Sequence, residues 1–141
     1  MSHTSVRYTI PAPAADVWSL VGDVRGATDR WPAVARTELE GSGVGSIRIM
    51  HLVDGSVVRE RLEAHDPGAR RTRWEILNFS KLPLRELHYT VSVQEHGPET
   101  CDVAWELDFE PAGGSEEKVR EMLEGIFGSI RASILESLEN P

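Results

Sequence analysis

Past residue 84 the chain changes its hydrophobic period, and that change limits what it can fold into more than any other feature. Leu87, Tyr89, Val91 and Val93 alternate with Glu86, His88, Thr90 and Ser92, and Val103, Trp105, Leu107 and Phe109 alternate with Ala104, Glu106, Asp108 and Glu110. A two-residue period of this kind belongs to antiparallel strands with one dry and one wet face. After Pro111-Ala112-Gly113-Gly114 the apolar residues recur as Val119, Met122, Leu123, Ile126, Phe127, Ile130, Ile134, Leu135 and Leu138, a 3.6-residue helical stripe. Ser115 is placed to cap this helix, with Glu116, Glu117 and Lys118 in its first turn. A helix of about 25 residues, ~37 Å long, thus has a dry sheet face to cover.

Upstream, Val6, Tyr8 and Ile10 alternate with Arg7 and Thr9 and stop at Pro11-Ala12-Pro13. Ala14 to Val21 reads as a short helix closed by Gly22, with Val17, Leu20 and Val21 on one side and Trp18 adjacent, and a second short helical piece runs toward Trp31-Pro32. Strand-like runs follow at 36–40, 46–53, 57–65, 70–77, 85–95 and 101–110, separated by turn chemistry such as Asp54-Gly55, Asp66-Pro67-Gly68 and Gly97-Pro98. The expected architecture is α+β: β-α-α-β6-α, about seven antiparallel strands curling round a long C-terminal helix.

The hairpin around Asp54-Gly55 aims charge inward. A three-residue loop at 54–56 sets Met50 opposite Glu60 and Leu52 opposite Val58, so that Arg48, Met50, Leu52, Val58, Glu60 and Leu62 share one face. A two-residue loop would oppose Arg48 to Arg61, and like charges in register destabilise a sheet. With the longer loop Arg48 and Glu60 become diagonal neighbours on a mostly apolar face, which implies a cavity containing polar groups.

Length and charge narrow the function classes. At 141 residues and 40% hydrophobic content, residues 1–141 fit a single domain burying roughly 68–70% of its unfolded surface. A net charge of −8 opposes nucleic acid and anionic membrane surfaces. No run approaches the ~20 apolar residues of a membrane span and no secretory leader is visible, so a cytoplasmic location without integral membrane association is expected. Cys101 is alone, which excludes an intrachain disulfide. Gly41-Ser42-Gly43-Val44-Gly45 leads into a strand and lacks a phosphate-loop lysine. His3, His51, His65, His88 and His96 show no metal-ligand spacing and are expected in solvent, His51 and His88 on the wet face. No Gly-x-Ser-x-Gly nucleophile elbow occurs, and Arg70-Arg71-Thr72-Arg73 reads as a solvated strand end. No metal and no cofactor are expected.

Several short motifs in order carry a resemblance across nearly the whole chain. They are Ile10-Pro11-Ala12-Pro13 before Asp16-Val17-Trp18, Val21-Gly22-Asp23, Trp31-Pro32, Gly43-Val44-Gly45-Ser46-Ile47-Arg48, Glu60-Arg61-Leu62-Glu63 with Asp66, Leu82-Pro83-Leu84, and Trp105 before Phe109-Glu110-Pro111. Together they resemble the SRPBCC superfamily of START and Bet v 1-like helix-grip proteins, and within it the bacterial polyketide cyclase/dehydrase-like branch. The resemblance implies that Arg48 and Glu60 lie on a cavity wall and bond to ligand or cavity water. It also implies gate loops at Asp54-Gly55-Ser56 and Asn78-Phe79-Ser80-Lys81-Leu82-Pro83-Leu84, with Asp54, Gly55, Leu82 and Pro83 as the gate residues. The first is shorter than in the abscisic-acid receptors of the superfamily, and Pro32 falls where those receptors place an anchoring lysine.

Further lining candidates follow from the alternation: Trp74, Leu87, Tyr89 and Trp105 on dry strand faces, with Tyr8 a similar case, and Ile126, Phe127 and Ile130 on the helix stripe. The expected function is binding of a small hydrophobic, lipid- or polyketide-like ligand between sheet and helix. A polyketide cyclase, aromatase or dehydratase is the alternative, with Glu60, Arg48 and Tyr89 as catalytic candidates, and a protein-interaction or chaperone-like module is the third reading.

Overall fold

The computed structural model describes residues 1–24, 32–79 and 82–139. The second short helix expected before Trp31-Pro32, Trp31 itself, Ser80 and Lys81 fall outside them. The elements in chain order are β1 (Ser2–Ile10), α1 (Ala14–Val21), β2 (Val34–Glu40), β3 (Ile47–Leu52), β4 (Val57–Asp66), β5 (Arg71–Ile76), β6 (Leu84–Gly97), β7 (Thr100–Pro111) and α2 (Glu116–Glu139). The seven strands form one curved antiparallel sheet in the order β1-β7-β6-β5-β4-β3-β2. The N-terminal strand crosses to the far edge and pairs Ser2 with Phe109 through Ile10 with Cys101. Strands β2 to β7 follow as a meander, the arrangement that short turn-rich separators favour.

The dry face is the expected one. Leu87, Val91, Val103, Leu107 and Phe109 are almost wholly buried beneath Val119, Leu123 and Ile134 of α2. Helix α1 closes one end of the core through Val17 and Leu20, and it stops at Gly22, whose N–H donates to the Trp18 carbonyl. Glycine at this position has a steric cause: a Cβ there would lie 2.4 Å from the Trp18 ring, and that ring is held by stacking on His65 at 5.8 Å.

The β3–β4 hairpin departs from the expected register by two residues. Its loop is Val53-Asp54-Gly55, closed by the Leu52 N–H donating to the Ser56 carbonyl, so Arg48 stands directly opposite Glu60 and Met50 opposite Val58. The cause is Gly55, at φ +90°, because a three-residue hairpin loop places its left-handed residue last. A shift of two keeps every side chain on its face, so the inward set survives while the diagonal pair becomes a direct one.

A second departure is the bulge between Leu62 and Ala64. It reverses the alternation beyond Glu63, so His65 pairs with the fully buried Thr72 and bonds its hydroxyl at 2.8 Å instead of pointing to solvent.

Candidate functional site

A transverse row of the sheet carries the polar part of the site. Arg48 on β3, Glu60 on β4 and Ile76 on β5 are successive partners, and the next row places Leu62 beside Trp74 and Trp74 beside Tyr89 on β6. The curl of the sheet lets the long Glu60 and Tyr89 side chains meet across β5. Arg48 Nη2 donates to Glu60 Oε1 at 3.1 Å, and the Tyr89 hydroxyl donates to Glu60 Oε2. The Arg48 guanidinium also lies 3.9 Å above the Trp74 ring, and its Nη1 reaches the Asp23 carbonyl at 3.4 Å. Arg48, Glu60 and Tyr89 are only 6%, 1% and 7% exposed, so this cluster is interior.

Its protonation follows from burial and pairing. Burial opposes the Arg48 charge, but attraction to the Glu60 carboxylate outweighs it and raises the guanidinium pKa. Burial, reinforced by the Glu60 charge, pushes the Tyr89 phenol well above its ordinary range. Tyr89 is therefore a neutral donor at physiological pH.

These residues border a cavity of about 280 Å³ between sheet and α2. Arg48, Met50, Leu52, Val58, Glu60, Trp74, Tyr89 and Trp105 line it from the sheet, and Ile126, Phe127 and Ile130 line it from α2. A second lobe of about 240 Å³ shares Glu60, Tyr89 and Phe127 with the first and extends to Leu87, Ile76, Asn78 and Leu82. Tyr89, Trp105 and Phe127 form a triangle of tilted rings with centroids 5.3–5.7 Å apart, which gives the cavity a stiff aromatic wall.

The sequence reading missed Leu20, Val21, Val34 and Val91 in the larger lobe and Ile76 and Leu123 in the smaller. Val91 shares the alternation of Leu87 and Tyr89, and Leu20 and Val21 lie on the apolar side of α1, so their signals were present. Asn78, in the second expected gate loop, accepts from the Arg59 N–H and donates to the Val57 carbonyl, tying the chain after β5 to β4.

Some expected positions lie away from these two lobes. Tyr8 does not border either lobe; its hydroxyl accepts the Trp105 indole N–H at 2.8 Å. Of the expected gate residues, Leu82 borders the smaller lobe, whereas Asp54, Gly55 and Pro83 border neither. Asp54 instead accepts the Ser56 N–H within its own loop, and the Pro83 carbonyl accepts the Ala112 N–H.

On the outer face His88 is mostly covered, contrary to a solvated reading, because Glu63 and Glu86 bracket its two ring nitrogens. Ligand atoms of Glu63, Glu75 and His88 lie within 4.8 Å of one another, a convergence across three strands that local spacing hides. Glu63 and Glu75 are already paired with Arg73 and Arg61.

A curved antiparallel sheet gripping a long C-terminal helix, with an apolar cavity broken by one polar cluster, defines a helix-grip fold of the Bet v 1-like kind. Residues 1–140 match the family described as polyketide cyclase / dehydrase and lipid transport, and the chain belongs to that family. Among solved structures, the protein XoxI from Bacillus cereus is 25% identical with a TM-score of 0.84, over 99% of this chain and 97% of that one. A Thermobifida fusca protein is 30% identical with a TM-score of 0.76, over 98% and 91%. The Zhui aromatase/cyclase from Streptomyces sp. R1128 shares the fold at 22% identity and a TM-score of 0.70, over 96% and 93%. No curated protein matches the chain. Among the described residues no helix is long and apolar enough to cross a membrane.

Proposed function

We propose that this protein encloses a small, mainly apolar molecule of lipid-like or polyketide-like character between its sheet and α2. The observation that carries this reading is a cavity of about 280 Å³ whose apolar wall is interrupted by one buried, mutually bonded cluster, Arg48, Glu60 and Tyr89. Apolar burial supplies affinity at about 25 cal/mol per Å², and the cluster supplies orientation. Family membership supports the same reading.

The test is a thermal-shift screen against fatty acids, sterols, aromatic polyketides and flavonoid-like compounds. A ligand at 100 times its Kd adds ~2.7 kcal/mol, or roughly 5–10 °C for a domain of this size. A hit that Phe127→Ala weakens in a folded variant is the expected result. No shift from any compound would overturn the reading.

The Tyr89–Glu60 hydrogen bond favours catalysis as a second reading, a cyclase or dehydratase acting in the same cavity. Ring closure by aldol addition needs a proton taken from a carbon between two carbonyls, a new carbon–carbon bond to a third carbonyl, and a proton returned to the alkoxide. Arg48 would stabilise the enolate, and Glu60 with Tyr89 would move the proton while the walls hold one folded conformer. Tyr89→Phe and Glu60→Gln should then each lower turnover of a polyketone by roughly 100-fold or more. Unchanged turnover in both would remove those roles.

A further inference from the structure

We propose that the cavity takes one elongated, two-part molecule, with a ring system in each lobe and a short linker at a waist beside Tyr89, in preference to a compact molecule held in one lobe. The inference rests on the ligand-binding reading above and gives its ligand a shape. The order in which successive residues of the sheet meet the two lobes carries it.

On β6 the inward residues divide in sequence: Leu87 borders the smaller lobe alone, Tyr89 borders both, and Val91 borders the larger alone. Strand β5 repeats the division, with Ile76 on the smaller lobe and Trp74, the partner of Tyr89, on the larger. The lobes therefore succeed each other along these strands. From Leu87 to Val91 the strand advances on the order of 13 Å, and a molecule reaching into both lobes has about that length.

The waist is set from both sides. Phe127 of α2 borders both lobes with its ring centroid 5.3 Å from that of Tyr89, and Met50 and Val58, cross-strand partners in the hairpin, border both from the sheet. Lobe size then decides what each part can be. A dry apolar cavity of about 150 Å³ holds one benzene ring, so lobes of about 280 and 240 Å³ each have room for a substituted ring or a fused pair. Neither alone reaches the ~300 Å³ at which ordinary ligand pockets begin, whereas the two together do. Flat ring faces suit these walls, since Trp74 and Trp105 line the larger lobe and Tyr89 and Phe127 the junction.

Two neutral ketones that differ by one arm make the test: acetylnaphthalene and naphthyl phenyl ketone, titrated into the full chain and followed by methyl chemical shifts and intermolecular NOEs. The longer ketone is expected to bind with a Kd at least about tenfold below that of acetylnaphthalene, the return on burying one more ring. In its wild-type complex one arm should give NOEs to the Val91 methyls and the other to the methyls of Leu87 and Leu123. Val91→Phe and Leu123→Phe each narrow one lobe, and each should weaken the longer ketone at least about tenfold, whereas only one of them should weaken acetylnaphthalene. NOEs from both arms to one lobe alone, or a longer ketone no tighter than acetylnaphthalene, overturn the inference and leave the ligand-binding reading standing. Binding of neither ketone also overturns the inference, and together with a blank thermal-shift screen it overturns the reading beneath it. If a variant does not fold, the wild-type NOEs still decide.

Discussion

Arg48 is held by Glu60, by the face of Trp74 and by the Asp23 carbonyl, so removing its counter-charge is not equivalent to removing the pair. Glu60→Leu leaves a buried guanidinium uncompensated and should cost about 3–5 kcal/mol, whereas Arg48→Met with Glu60→Leu should recover most of that loss. Urea unfolding of the two singles and the double would measure it, and a coupling energy near zero would show that the two charges do not stabilise each other. The chain's two tyrosines give a second residue-scale prediction. Burial pushes Tyr8 up to about 12, against the opposing effects of Trp105 and Arg131, and pushes Tyr89 well above 10.0. No phenolate absorbance should appear near pH 10 while the protein stays folded. A titration in which one tyrosine ionises there would contradict the burial of that ring.

At the scale of elements, α1 and the β3–β4 hairpin each depend on a glycine for a different reason. Gly22→Ala places a methyl against the Trp18 ring, which also stacks on His65, and should destabilise by about 1–3 kcal/mol through overpacking. Gly22→Ala combined with Trp18→Ala should lose that penalty, and chemical denaturation of the four proteins would test it. Every strand and both described helices were legible because a two-residue or 3.6-residue period survives errors at element ends. Face membership in the hairpin was equally legible, since a shift of two residues leaves Arg48, Met50, Val58 and Glu60 pointing the same way. Register was not, because it depends on which loop residue takes positive φ. The bulge after Leu62 has no glycine or proline to announce it, so the inward turn of His65 was hidden. Charge on an apolar face betrayed the cavity, whereas the lining by Asn78 depends on hydrogen bonds to a strand 19 and 21 residues away.

Across the whole molecule, the outer face of the sheet is knitted by imidazoles set between carboxylates. His3 bonds Asp108 and Glu106 through its two ring nitrogens, and His88 bonds Glu63 and Glu86 through its own. A neutral imidazole has one donor, so two carboxylate partners favour the doubly protonated ring. For His3 the Asp108 hydrogen bond is the main cause of a pKa raised above 6.5; for His88, burial works the other way but is outweighed by Glu63 and Glu86. A histidine whose folded pKa exceeds its unfolded value stabilises fully below about pH 6.5, and loses that contribution as pH rises through the folded value. Asp108 has the opposite sign: hydrogen bonding to His3 leads the effects that lower it from 3.8, so its contribution is present above that value and is lost as acid titrates the folded carboxyl. The two limbs leave a stability maximum between roughly pH 4 and 6.5 from these groups, on the acid side of neutrality. Melting temperatures measured across that range should fall on both sides. His3→Gln with His88→Gln should flatten the alkaline limb, because both substitutions remove the proton whose loss weakens the folded state. An alkaline limb unchanged in the double variant would show that the outer-face imidazoles are not what couples this fold to pH.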